Sequence, residues 1–378
     1  MFSDNVMKIL IDKNIPFING VFEPFAQVAY LKGDEFTPDS VSDADILIIR
    51  TRTKCNETLL KGSSVKFIAT ATIGTDHIDL EYCKNAGIGV ANAAGCNAGG
   101  VMQYVFTALY YLSVQKGFEL PCGKECVSLE AKKVLGVIGV GNVGSKVADL
   151  GEVLGFEVLR CDPLKEREQT LAFNRGEIKV EDFKDYYSLD YLLENSDIVT
   201  MHTWLDNTTR GMADEAFFAK MKWGAVFINA SRGEVVEDKA LVDNAMKFSA
   251  IVVDVWNGEP QINPELLAVT DIATPHIAGY SYEGKLNGTS MSVRSVARFA
   301  DIPELFDFSA PTDSPNTNFL DFNGLNKEQI NEQLSGIFPI FEDDYKLRSN
   351  PCDFEYLRSN YKYRREFYVN PTTKTTNC

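Results

Sequence analysis

The 378-residue chain is long enough for two or three domains, and a content of 45% apolar and 11% aromatic residues is ordinary for a globular protein with a full core. Its formal net charge of −16 disfavours a surface for nucleic acid or for an anionic membrane, so we expect neither as a partner. No apolar run approaches the length of a membrane span. An anionic ligand would need a local cluster of positive charge.

The eight cysteines are scattered and follow no secretory leader, so we expect reduced thiols and a cytoplasmic protein. They are Cys55, Cys83, Cys96, Cys122, Cys126, Cys161, Cys352 and Cys378. Only Cys122 and Cys126 are close in sequence, and no further cysteine or histidine lies near enough to complete a zinc site. The sequence therefore predicts no bound metal.

In the first part of the chain, short apolar stretches alternate with helical ones. The predicted strands are Lys8–Asp12, Ile46–Arg50, Phe67–Ala71 and Gly87–Ala91. Turn residues bound each of them, as in a parallel, doubly wound α/β unit. A long apolar helix is predicted over Asn97–Gln115, and we interpret it as a bridge to a second domain.

A glycine-rich turn follows the strand predicted over Val134–Ile138 and precedes the helix predicted over Ser145–Leu154. Its spacing is G-x-G-x-x-G. The first glycine allows a tight turn, the second lets the backbone approach a pyrophosphate, and the third lets the helix pack close to the strand. The predicted dinucleotide-binding residues of this turn are Gly139, Gly141, Asn142, Val143 and Gly144.

An acidic residue follows this turn at the spacing that such a site requires. Asp162 lies roughly 20 residues beyond the last glycine, at the end of the strand predicted over Glu157–Cys161. A carboxylate there accepts hydrogen bonds from the adenosine ribose hydroxyls and repels the 2′-phosphate of NADP. The sequence therefore predicts NAD as the cofactor.

Further strands continue the pattern and complete a predicted sheet of six or seven strands. They are Ile198–His202, Ala225–Asn229, Ile251–Val255 and Asp271–Thr274. The polar segment Lys165–Tyr187 is weakly periodic, so we expect it at the surface.

A helix predicted over Glu283–Ala300 would return the chain to the first domain. After a linker at Ala310–Asn318 comes a helix predicted over Lys327–Ile337 and a cationic, aromatic segment at Tyr356–Tyr368. A terminal piece of about 60 residues buries little core alone, so we expect it to pack on the body or on another subunit.

Only three histidines, His77, His202 and His276, are available as a general acid or base. His276 directly follows a predicted strand, as do Arg232 and Glu259, and open α/β sheets present their ligands at such strand ends. Imidazole can take the hydroxyl proton when a hydride leaves an alcohol carbon. A carboxylate orients the ring, and an arginine binds a substrate carboxylate. The three residues therefore predict the catalytic set of a 2-hydroxy acid dehydrogenase.

Structural roles for these residues stay open. His276 could be a core or capping histidine, Glu259 a turn carboxylate and Arg232 a surface ion-pair partner. We interpret His202 as lining the cofactor crevice and His77 as part of a turn.

At these residues the chain resembles the D-isomer-specific 2-hydroxyacid dehydrogenases. The resemblance extends from Met7 to about Tyr368. The segments that carry it are Ile73–Asp79, Ala94–Ala98, Gly139–Gly144, Asp254–Pro260 and Thr274–Tyr280. It implies that Arg232, Glu259 and His276 are catalytic, with His276 as the acid/base.

The resemblance also implies binding residues and domains. The implied cofactor contacts are Thr203, Ala230, Ser231, Asp254 and Gly279, and the implied substrate contacts are Thr51, Thr72 and Tyr280. The expected fold is two doubly wound, Rossmann-like or flavodoxin-like α/β domains plus a small C-terminal α+β dimerisation domain. The substrate domain is expected to comprise residues 7–98 and about 283–302, and the NAD domain residues 99–282. Residues 303–378 are expected to form the dimerisation domain, and the protein is expected to be a homodimer.

Two basic patches could bind a phosphate in this acidic chain. Arg50–Lys54 ends a predicted strand, and we expect Arg50 and Thr51 to contribute there, while Arg358–Glu366 could be an interface or could reach a neighbouring subunit. The resemblance implies a small phosphorylated 2-hydroxy acid as the substrate, and these patches are the candidate phosphate receptors. D-3-phosphoglycerate or another D-2-hydroxy acid stays open, and an NAD-sensing binding protein is a remote alternative that the intact catalytic set disfavours.

Overall fold

The structure, a computed structural model, describes residues 6–123, 133–312 and 314–369. Cys126 and Cys378 lie outside the described residues. The strands are β1 (Lys8–Asp12), β2 (Gln27–Leu31), β3 (Ile46–Ile49), β4 (Phe67–Thr70), β5 (Gly89–Asn92), β6 (Val134–Ile138), β7 (Glu157–Cys161), β8 (Ile198–Met201), β9 (Val226–Asn229), β10 (Ala250–Val253), β11 (Ile272–Ala273), β12 (Phe319–Leu320) and β13 (Tyr368–Val369).

The α-helices lie between these strands and after them. They are α1 (Pro38–Val41), α2 (Glu57–Leu60), α3 (Leu80–Asn85), α4 (Ala98–Lys116), α5 (Asn142–Leu154), α6 (Pro163–Asn174), α7 (Leu189–Asn195), α8 (Glu215–Lys220), α9 (Asp238–Asn244), α10 (Pro264–Val269), α11 (Tyr282–Ala300), α12 (Lys327–Ile337), α13 (Ile340–Ser349) and α14 (Phe354–Ser359). Across the described ranges, no helix has both the length and the apolar character needed to cross a bilayer.

The first compact unit comprises residues up to 97 together with 281–315. Its sheet is parallel, with strand order β2-β1-β3-β4-β5, which is the flavodoxin-like order. One face of the sheet packs on α11, where Val293 and Val296 join buried Ile9, Ile46 and Ile48 in one apolar cluster. The predicted α/β class of this part is therefore confirmed.

The second unit comprises residues 98–280 and 316 onward. Its parallel sheet has six strands in the order β11-β10-β9-β8-β6-β7. The chain runs outward from β6 to β7 and then restarts on the other side at β8, so the strand order reverses between β6 and β8. Open α/β sheets bind ligands outside the carboxyl ends of the strands at such a reversal.

Residues 316–369 pack within this second unit. Helix α12 lies along α4, and Phe338, Phe354 and Phe367 are buried. Strands β12 and β13 form a separate two-stranded parallel sheet. A segment too short for its own core thus buries its aromatic side chains against a larger one.

Candidate active site

The glycine-rich turn has the geometry of a dinucleotide cradle. Gly139 has φ +83°, and a Cβ there would lie 2.7 Å from the carbonyl oxygen of His202. A Cβ on Gly144 would overlap the Gly139 carbonyl oxygen, so only glycine lets α5 pack this close to β6. A Cβ on Gly141, by contrast, would have nothing within 4 Å. The second glycine therefore borders open space at the place where a pyrophosphate would approach the backbone.

Helix α5 begins inside this motif, at Asn142, and so starts earlier than the predicted Ser145. Gly141 is its N-cap residue and provides no side chain to bond the first backbone N–H groups. These donors and the positive end of the helix dipole suit a doubly charged pyrophosphate.

Asp162 is fixed beside the turn by two backbone N–H groups. Val140 donates to one carboxylate oxygen at 2.8 Å, and Lys165 donates to the other at 3.0 Å, which makes Asp162 the N-cap of α6. The side chain of the preceding Arg160 is buried and pairs with Glu152 at 2.6 Å. Asp162 is thus a pre-oriented acceptor at the end of β7, and the nearby guanidinium is committed to another carboxylate.

The end of β8 carries polar atoms that still lack partners. His202 Nδ1 and Thr203 Oγ1 are buried without a hydrogen bond among the described residues. Such atoms favour a polar ligand in the adjoining crevice, and the residues present therefore fit NAD. Burial lowers the pKa of His202 to about 3, so its ring stays neutral near pH 7.

His276 and Glu259 form a hydrogen-bonded pair at the ends of the neighbouring strands β11 and β10. His276 Nδ1 lies 2.8 Å from Glu259 Oε2 and 3.1 Å from Oε1. His276 has φ +56°, an uncommon conformation for a residue other than glycine, and it turns the ring toward the carboxylate. With Nδ1 bonded to Glu259, Nε2 is the ring nitrogen available for proton exchange.

The loop that carries His276 is fixed by Asp254. The His276 N–H donates to the Asp254 carbonyl oxygen at 2.8 Å. Within the Asp254 carboxylate, Oδ1 accepts from the Ile277 N–H at 2.8 Å and Oδ2 from the Ala278 N–H at 2.9 Å. Burial raises the pKa of Asp254 although these donors oppose the shift. Both oxygens already bond the loop, and the expected cofactor contact of Asp254 stays a prediction.

Glu259 is ionised at neutral pH. Burial alone raises the pKa of its carboxyl, but the charge and hydrogen bond of His276, the Trp256 N–H and the charge of Arg358 together lower it below the ordinary value. An ionised carboxylate on Nδ1 orients the ring and stabilises its protonated form.

Arg232 follows β9, the next strand in the sheet. Asn229 shapes its loop by donating to the Arg232 carbonyl oxygen at 3.0 Å and by accepting from the Ser231 N–H at 3.1 Å. Gly233 lies so close to the Trp256 backbone that a Cβ would overlap it. Ser231 and Arg232 are thereby held on a loop that packs directly on the segment leading to Glu259.

Sequence reasoning missed one member of this group. Arg358, in the C-terminal segment of the same chain, lies with Nη1 3.4 Å from Glu259 Oε2 and donates from Nε to the Tyr280 hydroxyl at 3.3 Å. Its basic patch was visible in the sequence, but nothing there indicated which surface the patch would meet. Tyr280 immediately follows Gly279, and its ring makes edge contacts with Tyr361 and Tyr363.

In the first unit, the predicted substrate residues lie at the ends of β3 and β4. Arg50 donates to the Asn14 carbonyl oxygen at 3.2 Å, and Thr51 is exposed beside it. Thr72 Oγ1 lies 2.7 Å from Thr70 Oγ1 and donates to the Gly74 carbonyl oxygen at 3.2 Å. Burial lowers the pKa of His77, which lies 3.2 Å from Thr70 Oγ1. This unit therefore presents hydroxyl groups and Arg50 at the carboxyl ends of neighbouring strands of its sheet.

Comparison with known proteins covers nearly all of the chain. Residues 114–278 match the family model described as D-isomer specific 2-hydroxyacid dehydrogenase, NAD binding domain. An erythronate-4-phosphate dehydrogenase of Bacteroides fragilis is 42% identical over 368 residues, which is 95% of this chain and 97% of the relative. The enzyme of that name from Escherichia coli is 37% identical over 371 residues, 96% of this chain and 92% of the relative.

Solved structures share the fold. A D-lactate dehydrogenase from Aquifex aeolicus, in complex with NAD and lactic acid, superimposes with a TM-score of 0.60 at 25% identity and covers 82% of this chain and 100% of its own. An NAD-bound 3-phosphoglycerate dehydrogenase from Entamoeba histolytica gives a TM-score of 0.61 at 22% identity, with 82% and 99% coverage.

Proposed function

The chain belongs to the D-isomer specific 2-hydroxyacid dehydrogenases, and we propose that it oxidises 4-phospho-D-erythronate at C2 to 2-oxo-3-hydroxy-4-phosphobutanoate. It is an NAD-dependent dehydrogenase. Its relatives over nearly the full length carry the erythronate-4-phosphate name, which supports this substrate and a place in vitamin B6 synthesis. The observation that carries the chemistry is the His276–Glu259 pair at 2.8 Å.

In this reaction the protein moves a proton and positions the carbon that loses a hydride. Neutral His276 accepts the C2 hydroxyl proton at Nε2, while ionised Glu259 stabilises the charge that develops on the ring. The glycine-rich turn and Asp162 would hold NAD, which would supply the acceptor for the C2 hydride. The alcohol carbon thereby becomes a carbonyl, and the proton leaves through His276.

The remaining predicted residues bind and orient the substrate. Arg232 binds the C1 carboxylate through its guanidinium fork and polarises the nearby C2 oxygen. Tyr280 offers a hydroxyl group to the substrate, while Arg50, Thr51 and Thr72 of the first unit stay predicted substrate residues. The acidic chain makes these local cations important, because the average field repels a phosphorylated acid.

We propose a cytoplasmic homodimer. The scattering of the cysteines along the sequence supports reducing surroundings. Exposed aromatic side chains of the C-terminal segment, including Phe319, Tyr345 and Tyr356, support an interface between two copies of this chain.

A dehydrogenase for D-3-phosphoglycerate or another D-2-hydroxy acid is the second candidate. It needs the same carboxylate grip and the same proton acceptor, so the catalytic set alone does not distinguish it. An NAD-sensing binding protein would need neither, and the hydrogen-bonded His276–Glu259 pair argues against that reading.

The direct test uses 4-phospho-D-erythronate labelled with deuterium at C2. The purified chain is incubated with NAD, and a 2-oxo acid trapping reagent removes the product. Deuterated NADH together with 2-oxo-3-hydroxy-4-phosphobutanoate is the expected result. Label retained in the substrate, with turnover of another 2-hydroxy acid in a parallel panel, would contradict the proposal.

A further inference from the structure

Arg358 joins two residues of the candidate site to the C-terminal segment of their own chain. Its guanidinium lies between Glu259 Oε2, 3.4 Å from Nη1, and the Tyr280 hydroxyl, 3.3 Å from Nε. About three quarters of the Arg358 side chain is buried, since 23% of it is exposed, and the Glu259 side chain is 18% exposed. A largely buried charge pair of this kind is screened far less by solvent than a surface pair.

The same segment is fastened to the backbone beside His276 by a second arginine. Arg364 Nη1 donates to the carbonyl oxygens of Ile277 at 3.0 Å and Tyr280 at 3.1 Å, and Nη2 donates to those of Gly100, at 2.9 Å, and Ala278. Its guanidinium carbon lies 4.0 Å from the ring centre of Phe338. Three of the four carbonyls belong to the loop directly after His276. The segment that presents Arg358 is therefore held in fixed register with the catalytic loop.

Glu259 lies between two cations, Arg358 and protonated His276. Among the described residues, the charged and titratable groups that face Glu259, His276 and Arg358 include Asp254, Tyr280 and Glu355, and Tyr104 interacts with Asp254. The positive charge of Arg358 partly offsets the negative charge of Glu259 and repels a protonated His276 ring. Arg358 therefore opposes protonation of that ring.

We propose that Arg358 is a positioning residue of the site: it holds Glu259 and Tyr280 in place and limits how strongly Glu259 favours the protonated form of His276. The C-terminal segment thereby sets the pH range of catalysis in its own subunit. This inference rests on the proposed function, because it assumes that neutral His276 is the proton acceptor.

The first test compares pH profiles of kcat/KM for Arg358→Gln and the unaltered enzyme, in the direction of 2-hydroxy acid oxidation. Removal of the Arg358 charge favours protonated His276, so the acid limb moves to higher pH by roughly half a unit or more. Looser placement of Glu259 and Tyr280 also lowers kcat by about 10-fold or more. Glu259→Gln removes a negative charge that favours protonated His276, so the acid limb of the kcat/KM profile moves to lower pH. Arg167→Gln, on the exposed face of α6, removes the same charge far from this cluster and leaves both quantities unchanged.

An acid limb that does not move in Arg358→Gln overturns the proposal, whatever happens to kcat. Should that variant fail to fold, Arg358→Lys serves instead, because it keeps the positive charge but loses the two-pronged guanidinium. In Arg358→Lys the acid limb of the kcat/KM profile is expected to stay at the same pH while kcat falls. An unchanged kcat in Arg358→Lys would overturn the positioning role.

A second readout needs no substrate. The chain has only three histidines, so the His276 ring can be followed by NMR through a pH titration with NAD present. Its midpoint is expected to rise in Arg358→Gln and to fall in Glu259→Gln. Equal midpoints in all three proteins would overturn the inference even if turnover is normal. A chain that shows the shifts but oxidises no 4-phospho-D-erythronate would instead refute the proposed substrate.

Discussion

At the scale of single residues, the site depends on side chains whose orientation is fixed by hydrogen bonds rather than by packing alone. Glu259 binds His276, the Asp254 carboxylate accepts from two consecutive backbone N–H groups after His276, and Asn229 shapes the Arg232 turn. Sequence spacing predicted the residue types at the strand ends. It could not predict Arg358, because a contact between residues far apart in the chain depends on how the C-terminal segment packs.

His276→Asn should abolish turnover while NAD binding stays nearly intact. Loss of a general acid or base costs about 10²–10⁴-fold in rate. Asparagine tolerates the positive φ of this position, so the loop keeps its shape. Steady-state kinetics and NAD titration by fluorescence provide the two measurements. Retention of wild-type turnover would remove His276 from the mechanism.

Asp162 has two separable roles, cofactor preference and capping of α6. Asp162→Asn keeps an oxygen for the cap but loses the charge, so the preference for NAD over NADP should narrow with little loss of stability. Asp162→Ala should narrow it equally and also cost about 1 kcal/mol through the lost cap. The ratio of kcat/KM for the two cofactors and the thermal midpoint separate these effects. A wild-type enzyme that already uses both cofactors equally would refute the role of Asp162.

At the scale of elements, strong apolar periodicity gave accurate bounds and weak periodicity did not. Strands β6 and β7 and helix α12 have the predicted limits, because each has a clear apolar pattern between turn or capping residues. Edge strand β2 was missed because none of its residues is fully buried. Helix α6 was expected only as surface chain, and it has no buried residue to give a helical period. Helix α13 was missed because no side chain caps its start and its buried residues, Ile340 and Leu347, are widely spaced, whereas α12 follows the Asn326 cap and buries Ile330 and Leu334 one turn apart.

The glycine-rich turn offers a matched pair of substitutions. Gly141→Ala meets open space at φ −77°, so the protein should fold normally while NAD affinity falls at least about 10-fold through a clash with the pyrophosphate. Gly144→Ala overlaps a backbone oxygen within the protein and should lower the thermal midpoint even without NAD. Calorimetry with and without NAD distinguishes the two. Normal NAD affinity in Gly141→Ala would place the cofactor elsewhere.

At the scale of the whole molecule, the chain combines a flavodoxin-like unit, a six-stranded unit with the glycine-rich turn, and a C-terminal segment. That segment packs into the second unit and brings Arg358 to Glu259 and Arg364 to the loop after His276. The fold class was predictable because two sets of alternating strands and helices are plain in the sequence. The packing of the terminal segment was not predictable, since its short apolar runs do not indicate which surface they contact.

Truncation after Ala310 should leave an aggregating or monomeric protein. It removes Phe338, Phe354 and Phe367, and burial of each of these side chains stabilises the fold by about 1.5–3 kcal/mol. It also exposes the face of α4 on which α12 packs. Light scattering and thermal unfolding measure the outcome. A soluble truncated dimer of normal stability would contradict both the packing argument and the proposed interface.

The central claim is that the site accepts 4-phospho-D-erythronate in preference to D-3-phosphoglycerate. Both compounds offer a carboxylate, a C2 hydroxyl and a terminal phosphate, so discrimination depends on the additional C3 hydroxyl and on the distance to the phosphate. Polar groups left unpaired by the shorter substrate cost on the order of 1–3 kcal/mol each, or about 5- to 150-fold. We therefore predict a higher kcat/KM for 4-phospho-D-erythronate by at least about 5-fold, measured with NAD and with a 2-oxo acid added to reoxidise NADH. An equal or higher kcat/KM for D-3-phosphoglycerate would contradict the claim.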